Sequence, residues 1–348
     1  MQVDLIHSLV NISPERPWGI MIVNYFFLTG ISAASFIIAN LYFVFKKSAF
    51  KSFSFFALLI SFSFLIVAPL NLIDDLSKPS NLLSVFFYGW ENFFTSPMKW
   101  GVLLLISYFF ISLMQLFFLC KKNNFQYEKN IFYLGILGII LAIAIEFYTA
   151  YLIAILNSFI FTHTALMPVL FLASALFSAS ATLIILLVLY ESFYLKQKLS
   201  ITNYITLIKF LALCACIDFI LKIFWFSFLF LFNTQSQELL QIFLKKESFM
   251  LFFVDMGLCL LLPIFIAFKF YNNIFMILIA ALLSLIGTFI FRYNLIIKTQ
   301  SFPKQTTSFL KYHLDLSSFI SIASNYALLL ALFCFVLAIF DKNILKGK

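Results

Sequence analysis

The sequence predicts an all-α fold: a polytopic integral membrane helix bundle with about nine transmembrane helices, eight to ten being the range. Three observations carry this. Of 348 residues, 64% are hydrophobic and 11% charged, whereas a soluble domain carries roughly 25% charged residues. Mean hydropathy is +1.06. The apolar residues are also gathered into runs long enough to reach the roughly 20 needed to cross the hydrocarbon of a bilayer.

In order, the runs cover about 18–45, 52–73, 97–120, 131–156, 165–194, 203–232, 249–268, 272–297 and 318–340. The first is too long for a cleaved signal. Its flank, with Asp4, Pro14, Glu15 and Pro17, is also too acidic and proline-rich, so it is expected to stay on the protein. Alternate connections hold Lys46, Lys47, Lys51, Lys121, Lys122, Lys129, Lys196, Lys198, Lys269, Lys342, Lys346 and Lys348. The positive-inside rule then puts the N-terminus outside and the C-terminus in the cytoplasm. The formal charge of +9 flanks hydrophobic runs, so it orients the chain in lipid and does not point to nucleic acid. Residues 1–348 read as a single membrane domain without a separate soluble part.

Between the second and third runs lies a proline-punctuated acidic stretch, Pro69 to Gly101, holding Asp74, Asp75, Lys78, Pro79, Trp90, Glu91 and Lys99. It is too polar to enter lipid and must sit at or outside the bilayer surface, on the outer side in this topology. An ordinary helix stop uses the same residue types. Trp18, Trp90 and Trp100 fall on that side too, where amphipathic rings favour the interface. Pro69, Pro168 and Pro263 lie within or at the ends of runs, where each removes a donor and can bend a helix. The small residues Ala173-Ser-Ala175 and Ser178-Ala-Ser-Ala181 read as a close-packing stripe.

The five cysteines show no spacing for a disulfide framework, a zinc site or an iron–sulfur cluster, and the metal-site expectation is none. The three histidines, His7, His163 and His313, lie outside the runs. A haem b held between helices needs histidines within them. No haem and no iron–sulfur cluster are therefore expected in this chain, and any electron transfer requires metal centres on another subunit.

Glu146, Lys209, Asp218, Lys222 and Asp255 stand inside apolar runs, where each costs about 2.5–3.5 kcal/mol on insertion scales, so a functional reading is the default. Asp218 and Lys222 can pair at helical spacing, and Lys209 can snorkel. Glu146 and Asp255 have no evident partner in sequence. Asn24 and Tyr25 in the first run, and Tyr148 and Thr149 beside Glu146, are neutral hydrogen-bonding groups near a carboxylate within apolar walls. That combination suits a quinone, whose carbonyls need donors and whose hydroquinone needs a proton acceptor. A polar helix–helix contact would use the same residues.

The segments Trp18-Gly with Tyr25-Phe-Phe-Leu-Thr-Gly30, Asp75-Leu-Ser-Lys-Pro79, Ser96-Pro-Met-Lys-Trp-Gly101, Tyr148-Thr-Ala150, Pro168-Val-Leu-Phe-Leu-Ala-Ser174 and Gly287-Thr-Phe-Ile-Phe-Arg292-Tyr resemble, in that order, the NrfD/polysulphide reductase membrane-subunit family. The resemblance covers about 18–303 and leaves the last run, about 318–340, as an extra helix. Ser77-Lys78 stands where the family commonly has Gly-Arg, and Ala150 where it has Gly. Lysine keeps the charge but loses the bidentate fork.

The resemblance implies a haem-free subunit of a respiratory complex in the bacterial inner (cytoplasmic) membrane. Such a subunit exchanges electrons between the quinone pool, with menaquinone as the expected member, and a ferredoxin-like iron–sulfur subunit linked to a molybdopterin catalytic subunit. It places the quinone near the outer ends of the first four helices. Carried over, this makes Glu146 and Asp75 the expected catalytic carboxylates and Asn24, Tyr25 and Tyr148 the expected quinone contacts. Two rivals remain: an ion- or proton-coupled transporter using Asp218, Lys222 and Asp255, and a purely structural anchor.

Overall fold

In the computed structural model the described residues are 18–75, 84, 87, 88, 90–121, 125–155, 161–194, 196, 201–232, 241, 245, 249–300, 312 and 314–346. His7, Ser77, Lys78, Pro79 and His313, all singled out above, lie outside them. Among the described residues there are nine α-helices and no strand. They are α1 Ile20–Phe43, α2 Lys51–Asp75, α3 Pro97–Cys120, α4 Phe125–Ala154, α5 Met167–Leu189, α6 Ile201–Phe232, α7 Leu262–Lys269, α8 Ile274–Tyr293 and α9 Leu316–Lys346. Three π-helical stretches adjoin them: Tyr190–Tyr194 extends α5, Phe249–Leu261 leads into α7, and Asn294–Lys298 extends α8.

Among the described residues, seven helical segments are long and apolar enough to span a membrane: Ile20–Phe43, Ser48–Asp75, Pro97–Cys120, Tyr127–Ala154, Met167–Tyr194, Ile274–Lys298 and Leu316–Phe340. The protein is a multi-pass membrane protein. The two further runs expected from the sequence are also helical, as α6 and the Phe249–Lys269 segment. These two carry Asp218, Lys222 and Asp255.

The bundle is built around α1, which packs on α2, α4, α5 and α8. In its most apolar window 89% of residues are buried, against 22% in α3 and in α9. That contrast separates a hub from helices with large lipid-facing surfaces such as Leu103, Phe110, Leu328 and Phe335. Close approach to α1 depends on small and polar residues rather than on an amphipathic stripe, as expected where lipid is as apolar as the core. Ser32 Oγ donates to Ser61 O at 2.7 Å, and Tyr108 joins the same point, its hydroxyl 2.8 Å from Ser61 Oγ and 3.2 Å from Ser32 O. Farther along, Gln115 Nε2 donates to Asn40 Oδ1 at 2.6 Å. The α5 stripe behaves as its composition implies, with Ala173, Ser174, Ala175, Ser178, Ala179, Ser180 and Ala181 all buried.

The prolines act in three ways. Pro168 sits in the first turn of α5, where a missing N–H costs nothing. Pro69 lies inside α2, depriving one carbonyl of its partner. Pro263 stands where the π-helical stretch gives way to α7; the wider turn accommodates a ring that would crowd the carbonyl four residues back. One end of the bundle gathers the start of α1 and the end of α2. There Trp18 N donates to Gln300 Oε1 at 3.3 Å, Ile20 N donates to Tyr312 Oη at 3.0 Å, and Asp75 lies beside Gly19.

Candidate functional site

The site forms where α1, α4, α5 and α8 meet. Glu146 lies about 12 Å in from the Ala154 end of α4, by the helical rise per residue. It is 0% exposed. Its partner is Arg292 of α8, 1% exposed, with Nη2 3.5 Å from Glu146 Oε2. The same nitrogen donates to Phe171 O at 3.1 Å, and the guanidinium lies 3.5 Å over the Phe171 ring. Gly30 of α1 makes room for the pair. A Cβ there would fall 3.5 Å from both Arg292 Nη2 and Glu146 Oε2, and 3.3 Å from Ala175 Cβ.

The pairing leaves hydrogen-bonding capacity unspent. Glu146 Oε1, Arg292 Nε and Arg292 Nη1 are buried and make no hydrogen bond to protein among the described residues. Buried polar atoms are normally satisfied, and each exception needs a reason. Here the unspent acceptor belongs to a carboxylate buried among helices. Tyr25 lies within electrostatic reach of both Glu146 and Tyr148, and Tyr108 within reach of Glu146. Tyr148 fits against α3 because residue 101 is glycine: any Cβ there would occupy the position of the Tyr148 ring.

Asn24 follows a different course from its neighbour Tyr25. Its Nδ2 donates to Asn71 Oδ1 at 2.8 Å, and its Oδ1 accepts from Tyr326 Oη at 2.8 Å. Asn325 Nδ2 donates to Asn71 Oδ1 at 3.2 Å and to Asp74 Oδ2 at 2.8 Å, and Ser321 Oγ donates to Asp74 Oδ2 at 3.0 Å. Asn24 is therefore joined to α2 and α9; on α4, Glu146 faces Gly30 and Arg292, while Tyr148, two residues on, lies against Gly101 of α3. Asp75 sits at the bundle end near Gly19 and Tyr312, away from Glu146. Of the polar residues expected on the outer loops, Asp74 is engaged with α9. Lys99 is 6% exposed; it donates to Tyr88 O and lies 4.8 Å over the Trp90 ring.

Between α2 and α3 an apolar groove of about 540 Å³ opens, lined by Leu65, Pro69, Leu72, Val102, Leu105 and Phe109 among others. Leu72 follows Asn71, which holds Asn24, and Val102 follows Gly101, which holds Tyr148. The groove's apolar walls suit a hydrocarbon chain.

Three further buried charges form a triad. Lys222 Nζ lies 3.2 Å from Asp218 Oδ2 and 2.9 Å from Asp255 Oδ1, and 4.0 Å over the Phe291 ring. Asp255 thereby gains the partner that its sequence neighbourhood lacks. Phe291, under Lys222, immediately precedes Arg292 on α8, so the triad packs against the same end of that helix. Sequence reasoning missed Arg292 as a buried charge, although it stands in an apolar run. It also missed the pairing of Glu191 Oε2 with Tyr204 Oη at 2.7 Å. Among the described residues no group of three or more His, Cys, Asp or Glu side chains could hold a metal ion.

Comparison with known proteins adds a family. The profile described as polysulphide reductase, NrfD, matches residues 9–304. The chain is 24% identical over 204 residues to the C subunit of a selenate reductase from Mesobacillus selenatarsenatis, a match covering 49% of this chain and 47% of that protein. It is 27% identical over 177 residues to an Hdr-like menaquinol oxidoreductase integral membrane subunit of Archaeoglobus fulgidus, covering 51% and 43% respectively. The chain spans less than half the length of either relative. Helix α9 lies beyond the residues that the family profile matches.

Proposed function

Because the chain belongs to the polysulphide reductase NrfD family, we propose that it is the membrane subunit of a respiratory oxidoreductase complex, exchanging electrons between a quinone and an iron–sulfur partner. The observation that carries this reading is the unpaired Glu146 Oε1, buried on a carboxylate that Arg292 holds where α1, α4, α5 and α8 meet. A quinone has two carbonyls and an isoprenoid tail. Tyr25 and Tyr148 are the phenol donors we assign to the former, and the α2–α3 groove is the apolar surface we assign to the latter.

Oxidation of a quinol releases two electrons and two protons. An iron–sulfur partner would take up the electrons, and the two protons must go, one after the other, to a group within hydrogen-bond reach. Glu146 Oε1 is that acceptor in this reading. Arg292 holds the other carboxylate oxygen in place, and the Tyr25 and Tyr148 hydroxyls orient the ring oxygens. Asp75, at the bundle end near Gly19, is the second carboxylate we assign to the reaction. The names of both relatives support a reductase or menaquinol setting, and menaquinone is the quinone we assign. The partners we assign are a ferredoxin-like iron–sulfur subunit and a molybdopterin subunit, docked on the outer side of a bacterial inner membrane with the N-terminus outside and the C-terminus in the cytoplasm.

The test is Glu146→Gln in the assembled complex, with menaquinol oxidation measured beside the partner subunits' activity with a soluble dye donor. We expect the variant to insert and bind its partners, retain the dye activity and lose most quinol oxidation. Wild-type quinol rates would remove Glu146 from the mechanism.

A further inference from the structure

The end of the bundle opposite Asp75 holds a second apolar groove. It opens between the last turns of α5 and the C-terminal half of α9, encloses about 240 Å³, and is lined by Leu189, Tyr190, Tyr194, Phe333, Leu337 and Ala338 among others. Both walls belong to segments long and apolar enough to span a membrane, Met167–Tyr194 and Leu316–Phe340. The medium outside the groove is therefore the hydrocarbon of the bilayer.

The shape follows from the chain. Tyr190–Tyr194 is a π-helical stretch, a wide turn of the kind often found at functional sites. Within it Glu191 is buried, and its Oε2 accepts from Tyr204 Oη of α6 at 2.7 Å, which pins the turn to α6. The Tyr190 and Tyr194 rings stack with centroids 5.4 Å apart. Tyr190 also meets Phe56 of α2 at 5.4 Å, and Phe56 meets Phe333 of α9 at 5.6 Å. This aromatic row joins the two walls at their base, and the groove is the space where α9, packed on α2, parts from the end of α5.

Volume decides the occupant. A pocket for a drug-sized ligand measures roughly 300–1,000 Å³, so this smaller groove takes part of one hydrocarbon chain and not a ring-bearing molecule. Charge decides the headgroup. Lys196 stands two residues beyond Tyr194, and Lys51 stands one helical turn before Phe55, whose ring packs on Phe340 of α9 at 6.3 Å; both lysines are exposed. The carboxylate nearest in sequence to Lys196, Glu191, is spent on Tyr204. Lysines at the edge of a span attract anionic lipid headgroups, and Tyr194, 60% exposed, is a residue type that settles at that level. Because α9 lies beyond the residues matched by the family profile, one wall of this groove is a contribution of the chain's own last helix.

We propose that the chain binds one anionic phospholipid here: an acyl chain fills the α5–α9 groove and the phosphate meets Lys196 and Lys51. The bound lipid ties α9 to α5, and it does so independently of any quinone at the Glu146 site.

The experiment uses the full chain in phosphatidylcholine vesicles doped with phosphatidylglycerol, or with phosphatidylcholine, carrying a photoactivatable group on one acyl chain. Cross-links are mapped by peptide mass spectrometry. The exposed α3 residues Leu113, Met114 and Phe117 lie at the same end of the bundle and report ordinary surrounding lipid. We expect phosphatidylglycerol to label 186–194 and 330–338 about tenfold more than phosphatidylcholine does, with no such preference on α3. Unlabelled phosphatidylglycerol should compete, and glycerol phosphate, which has the headgroup charge without a chain, should not. Ala338→Trp should abolish labelling of the groove and spare α3. Lys51→Gln with Lys196→Gln should bring phosphatidylglycerol down to the phosphatidylcholine level, a readout that holds even if Ala338→Trp fails to accumulate. Equal labelling by the two lipids, or groove labelling no denser than on α3, would overturn the proposal, as would an unchanged preference in the double lysine variant. Competition by menaquinone but not by phosphatidylglycerol would overturn it too, making the groove a place for an isoprenoid chain.

Discussion

Arg292 and Glu146 sit 3.5 Å apart in the buried middle of the bundle, joined by only one nitrogen of the five-donor guanidinium. Two further guanidinium nitrogens and the second carboxylate oxygen make no hydrogen bond to protein among the described residues. A pair built only for stability would spend these atoms, as bidentate Arg–carboxylate contacts do.

Removing the cation should be worse than removing the anion's charge. Arg292→Leu leaves Glu146 buried without its counter-ion, which costs about 3–5 kcal/mol. We expect sharply reduced membrane yield and partial recovery in the Arg292→Leu, Glu146→Gln double variant. Yield and melting temperature in detergent provide the measurement, and equal damage in the single and double variants would refute the pairing argument.

Gly101→Ala should act as a disguised Tyr148 variant. The added methyl meets the Tyr148 ring, and α3 or the ring must move. Quinol oxidation is expected to fall at least as far as in Tyr148→Phe, while dye-linked activity of the partner subunits stays intact. Full quinol activity in Gly101→Ala would place Tyr148 outside the reacting geometry.

Lys222→Met tests the triad. The change abandons two buried carboxylates at once, a destabilisation of about 3–5 kcal/mol or more. Adding Asp218→Asn and Asp255→Asn should restore accumulation. If the triple variant accumulates and turns over quinol normally, the triad serves assembly. If it accumulates without activity, the triad belongs to the reaction.

Asp75→Lys tests the outer face. Asp74 is tied to α9 and Lys99 to Tyr88, which leaves Asp75 as the carboxylate at the end of α2 that is best placed to meet a partner. We expect the charge reversal to release the iron–sulfur subunit in pull-downs while the membrane chain still accumulates. Full retention of the subunit, with cross-links on the opposite side of the membrane, would reverse the proposed orientation.

The fold was legible in the sequence to the extent that it is one-dimensional. Hydropathy marks a span locally, so the bounds of α1, α2, α3 and α8 lie within a few residues of the apolar runs. The site was legible only in part. Glu146 announced itself as a charge in an apolar run, yet its partner lies 146 positions away. Lys222 and Asp218 share a helix and could be paired from spacing alone, but Asp255 reaches them only through tertiary packing. Asn24 and Tyr25 are adjacent in sequence and were expected to act together. Successive residues on a helix point about 100° apart, and here it is Asn24 that reaches α2 and α9. The polar face of α9, Ser321, Asn325 and Tyr326, looks like ordinary helix composition until α2 is beside it.

The burial of α1 sets the order in which the protein can be made. α1 is synthesised ahead of the helices that enclose it, carrying Asn24, Ser32, Ser35 and Asn40 into the membrane, and those helices include α8, which arrives late in translation. Gly30 waits for Arg292, and Asn24 for Tyr326. Until then the hub is an underpacked span with polar groups turned toward lipid, where unsatisfied donors and acceptors are costly. Biogenesis therefore hands its most vulnerable segment to the insertion machinery at the outset. A chain truncated before α8 leaves behind a helix suited to extraction by membrane quality control.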